Sequence, residues 1–182
     1  MKSTLSNQRS RLRRFLVAFT VTAGGAGFVP VAPGTAGTVI AALLYPVIQS
    51  ATIASQITLF ILLFFAGWWA STEWSKMLNS TDAQTIVIDE VLGYFLALIL
   101  FRATIHVTPT SVHLTDLHLM LIAFVAFRIF DTTKPFPIRR LDKWGKKLAV
   151  GPLQSLMVIV DDLLAGLFTW ITLLLANQIF SQ

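Results

Sequence analysis

The feature that most constrains this chain is an uncharged stretch, from Phe15 to Thr72, that covers 58 residues. A helix needs about 20 predominantly apolar residues to cross a bilayer, so this stretch is long enough for two crossings. Only 13% of the 182 residues are charged, whereas soluble domains average roughly 25%. The sequence therefore predicts an integral membrane protein, and its length fits one domain, residues 1–182.

Five apolar segments follow one another along the chain. They lie near residues 37–55, 56–71, 91–101, 117–127 and 156–180, with the first break expected near 49–56. We predict an all-α, polytopic membrane bundle of about four to five spans, in which the third and fourth are short. Residues 1–14 carry Lys2 and four arginines. We interpret them as a retained basic cytoplasmic tail, of which residues 1–8 are either disordered or part of the anchor.

The charged residues are distributed unequally between the two ends of the predicted spans. If five spans alternate in direction, one side receives 13 of the 14 Lys and Arg residues and 8 of the 9 Asp and Glu residues; Arg102 and Asp116 are the exceptions. The positive bias makes this side cytoplasmic. Topology thus accounts for the net charge of +5 without a nucleic-acid partner. The absence of cysteine excludes disulfides, thiolate catalysis and Cys-ligated zinc.

A segment rich in glycine and proline covers residues 24–35, with four glycines and two prolines. This composition is incompatible with a regular helix, and irregular backbone at membrane depth must be buried in protein. We predict a loop that leads into a helix beginning near Thr35, whose free N–H groups can bind an anion. Gly34 and Thr35 are therefore candidate substrate-binding residues, and a re-entrant turn without a ligand is the alternative.

Two pairs of acidic residues each precede a glycine by about one helical turn. The pairs are Asp89-Glu90 with Gly93, and Asp161-Asp162 with Gly166. Glycine at this spacing lets another backbone approach the face that carries the carboxylates. Ionisable residues at membrane spans are costly and usually functional. The pairs therefore predict an acidic cluster at the cytoplasmic face, and the alternative is that they only mark the water boundary.

The fourth span ends in a pattern of charged residues. Arg128, Asp131 and Lys134 recur every three residues and so share a helical face, and Pro135 is expected to end the helix. Five carboxylates with hard oxygen ligands suit Mg²⁺ better than zinc: Asp89, Glu90, Asp131, Asp161 and Asp162. The two cations suit a phosphate beside the metal. Together these groups are what phosphoryl transfer to water requires.

Three blocks of sequence together resemble the phosphatidylglycerophosphatase A family of bacterial inner-membrane lipid phosphatases. The blocks are residues 25–37, Asp82 with residues 86–93, and residues 127–138 joined by 161–166. The resemblance implies Mg²⁺-dependent removal of the terminal phosphate of phosphatidylglycerophosphate, which yields phosphatidylglycerol in glycerophospholipid biosynthesis. One departure is that residues 154–158 replace the glycine-rich stretch usual before the paired aspartates, which puts the local backbone there and the substrate in question.

The resemblance also suggests a role for each candidate residue. Asp89, Glu90, Asp161 and Asp162 would hold one or two Mg²⁺ ions, and Asp131 would be a further ligand or would orient Arg128. Arg128 and Lys134 would bind the phosphate of a phospholipid in the cytoplasmic leaflet, and the nucleophile is either water or an aspartate. His106, His113 and His118 lie on the opposite side and are not expected to be catalytic.

Two other classes of protein remain open from the sequence. A small membrane ion transporter would also carry intramembrane carboxylates, but near the midplane rather than at one face. A non-catalytic assembly factor would need neither the acidic cluster nor the proline-terminated basic helix.

Overall fold

The computed structural model describes residues 2–81, 83–107 and 114–180, with residues 2–7 and 9 described by their backbone alone. Over these residues the chain forms seven α-helices and no strand, which confirms the all-α prediction. The helices are α1 (Lys2–Val21), α2 (Pro33–Ile48), α3 (Ile53–Leu78), α4 (Ile88–Val107), α5 (Asp116–Thr133), α6 (Ile138–Gly145) and α7 (Pro152–Ile179). A short 3-10 turn, Ala26–Phe28, precedes α2. Asp82 and His113 lie outside the described residues.

Helices α3, α4 and α5 extend beyond both ends of the apolar segments from which they were predicted, and α7 begins before its segment. Helix α2 instead ends at Ile48, where the first break was predicted. Charged residues mark the limits of the hydrocarbon layer, but a helix ends only where a cap, a glycine or a proline stops it. Helix α3 begins where the Thr52 hydroxyl accepts a hydrogen bond from the Ser55 amide at 3.2 Å. It then continues to Leu78, seven residues beyond the predicted end of the apolar segment at residue 71. The basic segment 131–147 contains α6, and the N-terminal residues expected as a tail form α1.

Residues 22–32 form the irregular segment that was expected over 24–35, because α2 begins at Pro33 rather than near Thr35. Three consecutive residues, Ala23, Gly24 and Gly25, have positive φ and turn the chain away from α1. Proline at the first position of a helix loses no hydrogen bond, because that amide has no partner within the helix. The Gly/Pro-rich sequence thus determines both the turn and the start of α2.

Two of the helices are long and apolar enough to cross a membrane, α3 and α7. Only 17% of the most apolar stretch of α3 and 39% of that of α7 are buried, whereas the core helix of a soluble protein would be mostly buried. Large apolar side chains such as Leu62, Phe65 and Leu175 are exposed on their surfaces. The chain therefore presents the apolar exterior of a membrane-associated protein.

Helix α4 lies at the centre and packs against α2, α3, α5 and α7. Its buried side chains, among them Tyr94 and Phe101, point in every direction around its axis, as expected for a helix enclosed by others. The segment before α4 is held in place by two hydrogen bonds. The Val87 amide donates to the Val21 carbonyl at 2.9 Å, and Gln154 Nε2 donates to the Thr81 carbonyl at 2.6 Å.

Helices α4 and α7 approach each other at two glycines. A Cβ at Gly166 would collide with the backbone carbonyl of Gly93, and a Cβ at Gly93 would collide with the carbonyl of Asp162. This contact confirms the prediction that glycine lets a second backbone approach the acidic face. It places the start of α4 beside the third turn of α7.

We predict that Gly166→Ala destabilises the protein by about 1–3 kcal/mol, because the added methyl group must separate the two backbones. The measurement is the midpoint of thermal unfolding in detergent. Gly151→Ala is the matched control, since the nearest atom to its Cβ is 3.8 Å away. Equal midpoints for the two variants would contradict the close approach of α4 and α7.

Candidate functional site

One cavity, of about 460 Å³, collects nearly all of the candidate residues. It lies where α2 and α4 begin, where α5 ends, and beside α6 and the third turn of α7. Its charged lining residues are Asp89, Glu90, Arg128, Asp131, Lys134, Asp142, Lys146, Asp161 and Asp162, and Gly34 also lines it. The predicted convergence of the acidic residues at one end of the bundle is therefore observed. Thr35 is not among the lining residues.

Three carboxylates form the deepest part of the cavity. Oxygen atoms of Asp89, Glu90 and Asp162 all lie within 4.8 Å of one another, a spacing that could hold a metal ion. Asp89 and Asp162 are 6% and 4% exposed, so water does little to offset their mutual repulsion. Glu90 Oε2 is buried and has no hydrogen-bond partner among the described residues. Buried carboxylates that repel one another, with one oxygen unpartnered, fit a hard divalent cation such as Mg²⁺.

The backbone of α2 allows this cluster to form. A Cβ at Gly34 would collide with Glu90 Oε1 and would lie 3.3 Å from Arg128 Nη1. Glycine at this position therefore leaves room for the Glu90 carboxylate beside the start of α2. The same contact brings the free amides of the first turn of α2 to the cavity wall.

The adjacent acids of α7 have different surroundings. Asp162 belongs to the three-carboxylate cluster, whereas Asp161 forms an ion pair with Lys134. Successive residues of a helix point about 100° apart, so the two carboxylates face different neighbours. Asp161 is as buried as Asp162 but is already compensated by a cation.

Arg128 lies beside the cluster on α5. Its Nη1 atom is 2.7 Å from Asp131 Oδ2 and 4.0 Å from Glu90 Oε1. Nη1 is buried, yet no acceptor among the described residues meets it in hydrogen-bonding geometry. A buried guanidinium nitrogen without an acceptor is costly. Asp131 therefore positions Arg128 by charge and leaves the guanidinium available to an anion in the cavity.

Lys134 occupies an unusual backbone position at the end of α5. It has a φ of 44°, in the left-handed region that side chains rarely adopt, and its amide donates to the Phe130 carbonyl at 2.9 Å. Helix α5 ends at Thr133, which confirms the prediction that Pro135 ends the helix. Lys134 is thus the cap of the helix rather than part of its face, and this turn directs its ammonium group into the cavity.

The Lys134 ammonium group is surrounded by acids. Its Nζ contacts Asp161, lies 3.5 Å from Asp142 Oδ1 and lies 4.0 Å from Asp131 Oδ1. Burial lowers the pKa of Lys134, but the carboxylates, Asp161 first among them, raise it more, so its pKa lies above the usual value. Lys134 therefore remains a cation at physiological pH.

Two charged lining residues were not identified as site residues from the sequence, Asp142 and Lys146. They belong to the basic segment 131–147, between the fourth and fifth predicted spans, where Asp142 is one of two acids among six cations. The signal that could have identified them is their spacing of four residues, which places both on one face of a helix. In the structure Lys146 Nζ is 3.2 Å from Asp142 Oδ1.

The lining residues do not balance in charge. Six carboxylates and three cations surround the cavity, so three negative charges are uncompensated when all are ionised. Such an excess in a partly buried cavity is unfavourable unless a cation enters it. The excess of negative charge is thus compatible with a divalent cation in the cavity.

The charged residues predicted for the opposite side lie at the other end of the helices. Arg102, His106 and Asp116 line a separate cavity of about 800 Å³. Arg102 is about 20 Å from Asp89 along α4, at 1.5 Å per residue. These residues therefore lie far from the acidic cluster.

Comparison with known proteins identifies relatives over most of the chain. The model of a family described as phosphatidylglycerophosphatase A matches residues 19–177. A Bacteroides thetaiotaomicron protein with the name "Putative phosphatidylinositol-3-phosphatase" is 29% identical over 170 residues, which cover 91% of this chain and 96% of that protein.

Two further relatives carry the name phosphatidylglycerophosphatase A. The Haemophilus influenzae protein is 29% identical over 145 residues, 79% of this chain and 78% of its own length. The Escherichia coli protein is 27% identical over 146 residues, 80% of this chain and 74% of its own length. No solved structure matches the chain.

The different surroundings of the α7 acids lead to a prediction. Asp162→Asn should weaken Mg²⁺ binding by at least about tenfold, because it removes one of three clustered charges. Asp161→Asn should weaken it less, since that carboxylate pairs with Lys134. Titration calorimetry of the purified protein with Mg²⁺ measures both affinities, and Asp116→Asn is the control at the other end of the bundle. A larger effect of Asp161→Asn would contradict the assignment of Asp162 to the metal cluster.

Proposed function

The chain belongs to the phosphatidylglycerophosphatase A family, and we propose on this basis that it is a Mg²⁺-dependent lipid phosphatase. The proposed reaction converts phosphatidylglycerophosphate and water into phosphatidylglycerol and inorganic phosphate. The observation that carries the proposal is the buried cluster of three carboxylates beside two cations in one cavity. A metal site next to phosphate-binding cations is the arrangement that phosphomonoester hydrolysis requires.

The proposed metal ligands are Asp89, Glu90 and Asp162, with Asp161 as a further ligand or as the partner that holds Lys134. A bound Mg²⁺ would neutralise charge on the phosphate oxygens and lower the pKa of a coordinated water. The unpartnered oxygen of Glu90 supports this assignment, because an unpaired buried carboxylate oxygen is otherwise costly.

The chain's own cations would bind and orient the phosphate. Arg128 offers a planar fork that matches two phosphate oxygens, and Asp131 holds this fork in position. Lys134, at the end of the same helix, supplies a point charge to the cavity. Gly34 leaves room for Glu90 and brings the first turn of α2 to the cavity, where the amides of Gly34 and Thr35 are candidate donors to the anion.

We further propose that the chain is a single multi-pass domain of the bacterial inner membrane, with the cavity on the cytoplasmic side. Helices α2, α3, α4, α5 and α7 would be the five spans, with α1 as a basic cytoplasmic segment. The cations at the cavity end of the bundle support this orientation. The acyl chains of the substrate would then stay in the bilayer while the headgroup enters the cavity from the cytoplasmic leaflet.

The position of the acids favours a phosphatase over an ion transporter. Asp89 and Glu90 lie in the first turn of α4, and Asp131 lies in the last turn of α5. A transport pathway would instead place its carboxylates near the middle of the bundle, whereas these acids and the Asp161-Asp162 pair of α7 all line one cavity at its end. A different phosphatase substrate has specific support, because the Bacteroides thetaiotaomicron relative is named for phosphatidylinositol-3-phosphate.

We predict that the purified protein releases phosphate from phosphatidylglycerophosphate in mixed micelles with Mg²⁺, and that EDTA abolishes the release. Glu90→Gln should lower the rate at limiting Mg²⁺ by at least about tenfold, because the metal cluster loses a charge while keeping its shape. A panel that includes phosphatidylinositol-3-phosphate and phosphatidic acid ranks the substrates. Unchanged release by Glu90→Gln at limiting Mg²⁺ would contradict the metal assignment.

The topology leads to a separate prediction, which the natural absence of cysteine makes simple to test. Single cysteines at Lys143 and Asp116 should react with an impermeant thiol reagent from opposite sides of the membrane. In intact cells the Asp116→Cys protein should be labelled, and Lys143→Cys should be labelled only after the cells are opened. Labelling of both in intact cells would contradict the proposed orientation.

A further inference from the structure

We propose that Lys146 forms a second anion subsite, at the mouth of the cavity, which binds the phosphodiester of the lipid headgroup while the deeper groups bind the terminal phosphate. The inference rests on the proposed phosphatase function and adds a specificity-determining residue to it. It follows from the order of the cations along the cavity, from the way α6 is held, and from the chemistry that the candidate substrates share.

The cations are arranged in depth. The side chains of Arg128 and Lys134 are 19% and 25% exposed, whereas that of Lys146 is 48% exposed. All three line the same cavity, at whose base Asp89 and Asp162 are almost fully buried. A phosphate bound beside the acidic cluster would therefore contact Arg128 and Lys134. The part of the ligand that extends out of the cavity would pass Lys146.

A single carboxylate links the two lysines. Asp142 Oδ1 lies 3.5 Å from Lys134 Nζ and 3.2 Å from Lys146 Nζ. Lys134 also contacts Asp161 and Asp131, so its position does not depend on Asp142 alone. Asp142 thus holds Lys146 next to the phosphate-binding lysine, close enough for two linked phosphates to contact both.

The backbone that carries Lys146 is fixed against α7. Lys146 follows directly after Gly145, the last residue of α6, and its amide donates to the Asp142 carbonyl at 3.0 Å. A Cβ at Gly145 would lie 2.8 Å from Met157 Cβ, so α6 ends in close contact with α7. Lys146 therefore extends from a helix end that packs against α7.

Helix α6 and the residues just before it also carry side chains that are typical of the membrane–water interface. Trp144 is 48% exposed, and Arg140 lies 5.0 Å above the centre of the ring of Phe136, which is 70% exposed. Exposed aromatic residues next to cations are typical of the membrane–water interface. The phosphodiester of a phospholipid lies at the same level, which places it beside Lys146.

The candidate substrates share the chemistry that this subsite requires. Phosphatidylglycerophosphate and phosphatidylinositol-3-phosphate each carry a phosphomonoester on a polyol that a phosphodiester joins to the acyl-bearing glycerol. Phosphatidic acid carries the phosphomonoester alone. A cation at the mouth therefore favours lipids that have both phosphates, whichever polyol lies between them.

The test compares Lys146→Gln with the wild-type protein in mixed micelles. Loss of one partly exposed charge-assisted contact should raise the KM for phosphatidylglycerophosphate roughly tenfold and leave kcat within about twofold. The inhibition constant of phosphatidic acid, used as a competing ligand, should change less than about twofold, because it lacks the phosphodiester. Lys146→Arg should retain a KM close to that of the wild type.

Lys143→Gln is the matched control, since it removes the same charge from an exposed residue of α6 that does not line the cavity. An unchanged KM for Lys146→Gln, or an equal increase for Lys143→Gln, would overturn the subsite. A fall in kcat without a change in KM would instead assign Lys146 to the reaction and also overturn it. If the wild-type protein released no phosphate from any of these lipids, the proposed phosphatase function itself would fail, which is a distinguishable result.

Discussion

The close approach of α4 and α7 at Gly93 and Gly166 is the constraint on which the rest of the structure depends. Only where two backbones lie this close can Asp162 of one helix share a metal-sized space with Asp89 and Glu90 of the other. Helix α4 also packs against α2 and α5, which form other parts of the cavity wall. Since it is enclosed on all sides, a shift of α4 would move the acidic cluster relative to every cation around it.

The cavity concentrates charge in a protein whose exterior is apolar. Burying carboxylates is unfavourable unless cations compensate them, and the three cations compensate only part of the negative charge of the six acids. The compensation is also unevenly distributed. Asp161, Asp131 and Asp142 have basic partners, whereas in the deeper cluster Glu90 Oε2 has no hydrogen-bond partner in the described part of the chain. This division separates a region suited to a metal from a region suited to a phosphate, which together form the basis of the proposed reaction.

The apolar surfaces of α3 and α7 and the interfacial side chains of α6 bear on how a lipid would reach this cavity. A lipid phosphatase does not need to extract its substrate, because acyl chains can remain in the bilayer while the headgroup bends into a polar opening. The cavity meets this requirement, since its lining includes apolar residues such as Met157 and Val158 beside the charged groups. Exposed aromatic residues next to the opening are consistent with a mouth at the level of the headgroups.

The sequence by itself determined the helical class, the irregular segment before α2, the end of α5 just before Pro135 and the identity of most charged groups in the cavity. These features follow from composition, from glycine and proline, and from spacing, all of which act locally. Only the tertiary structure decided that Asp162 joins the cluster of three carboxylates while Asp161 pairs with Lys134, because neighbouring helical residues point in different directions. The tertiary structure also decided that Asp142 and Lys146 line the cavity. Their segment is basic and short, and nothing local to it shows that α6 folds back against α7, where a contact at Gly145 places both residues on the cavity.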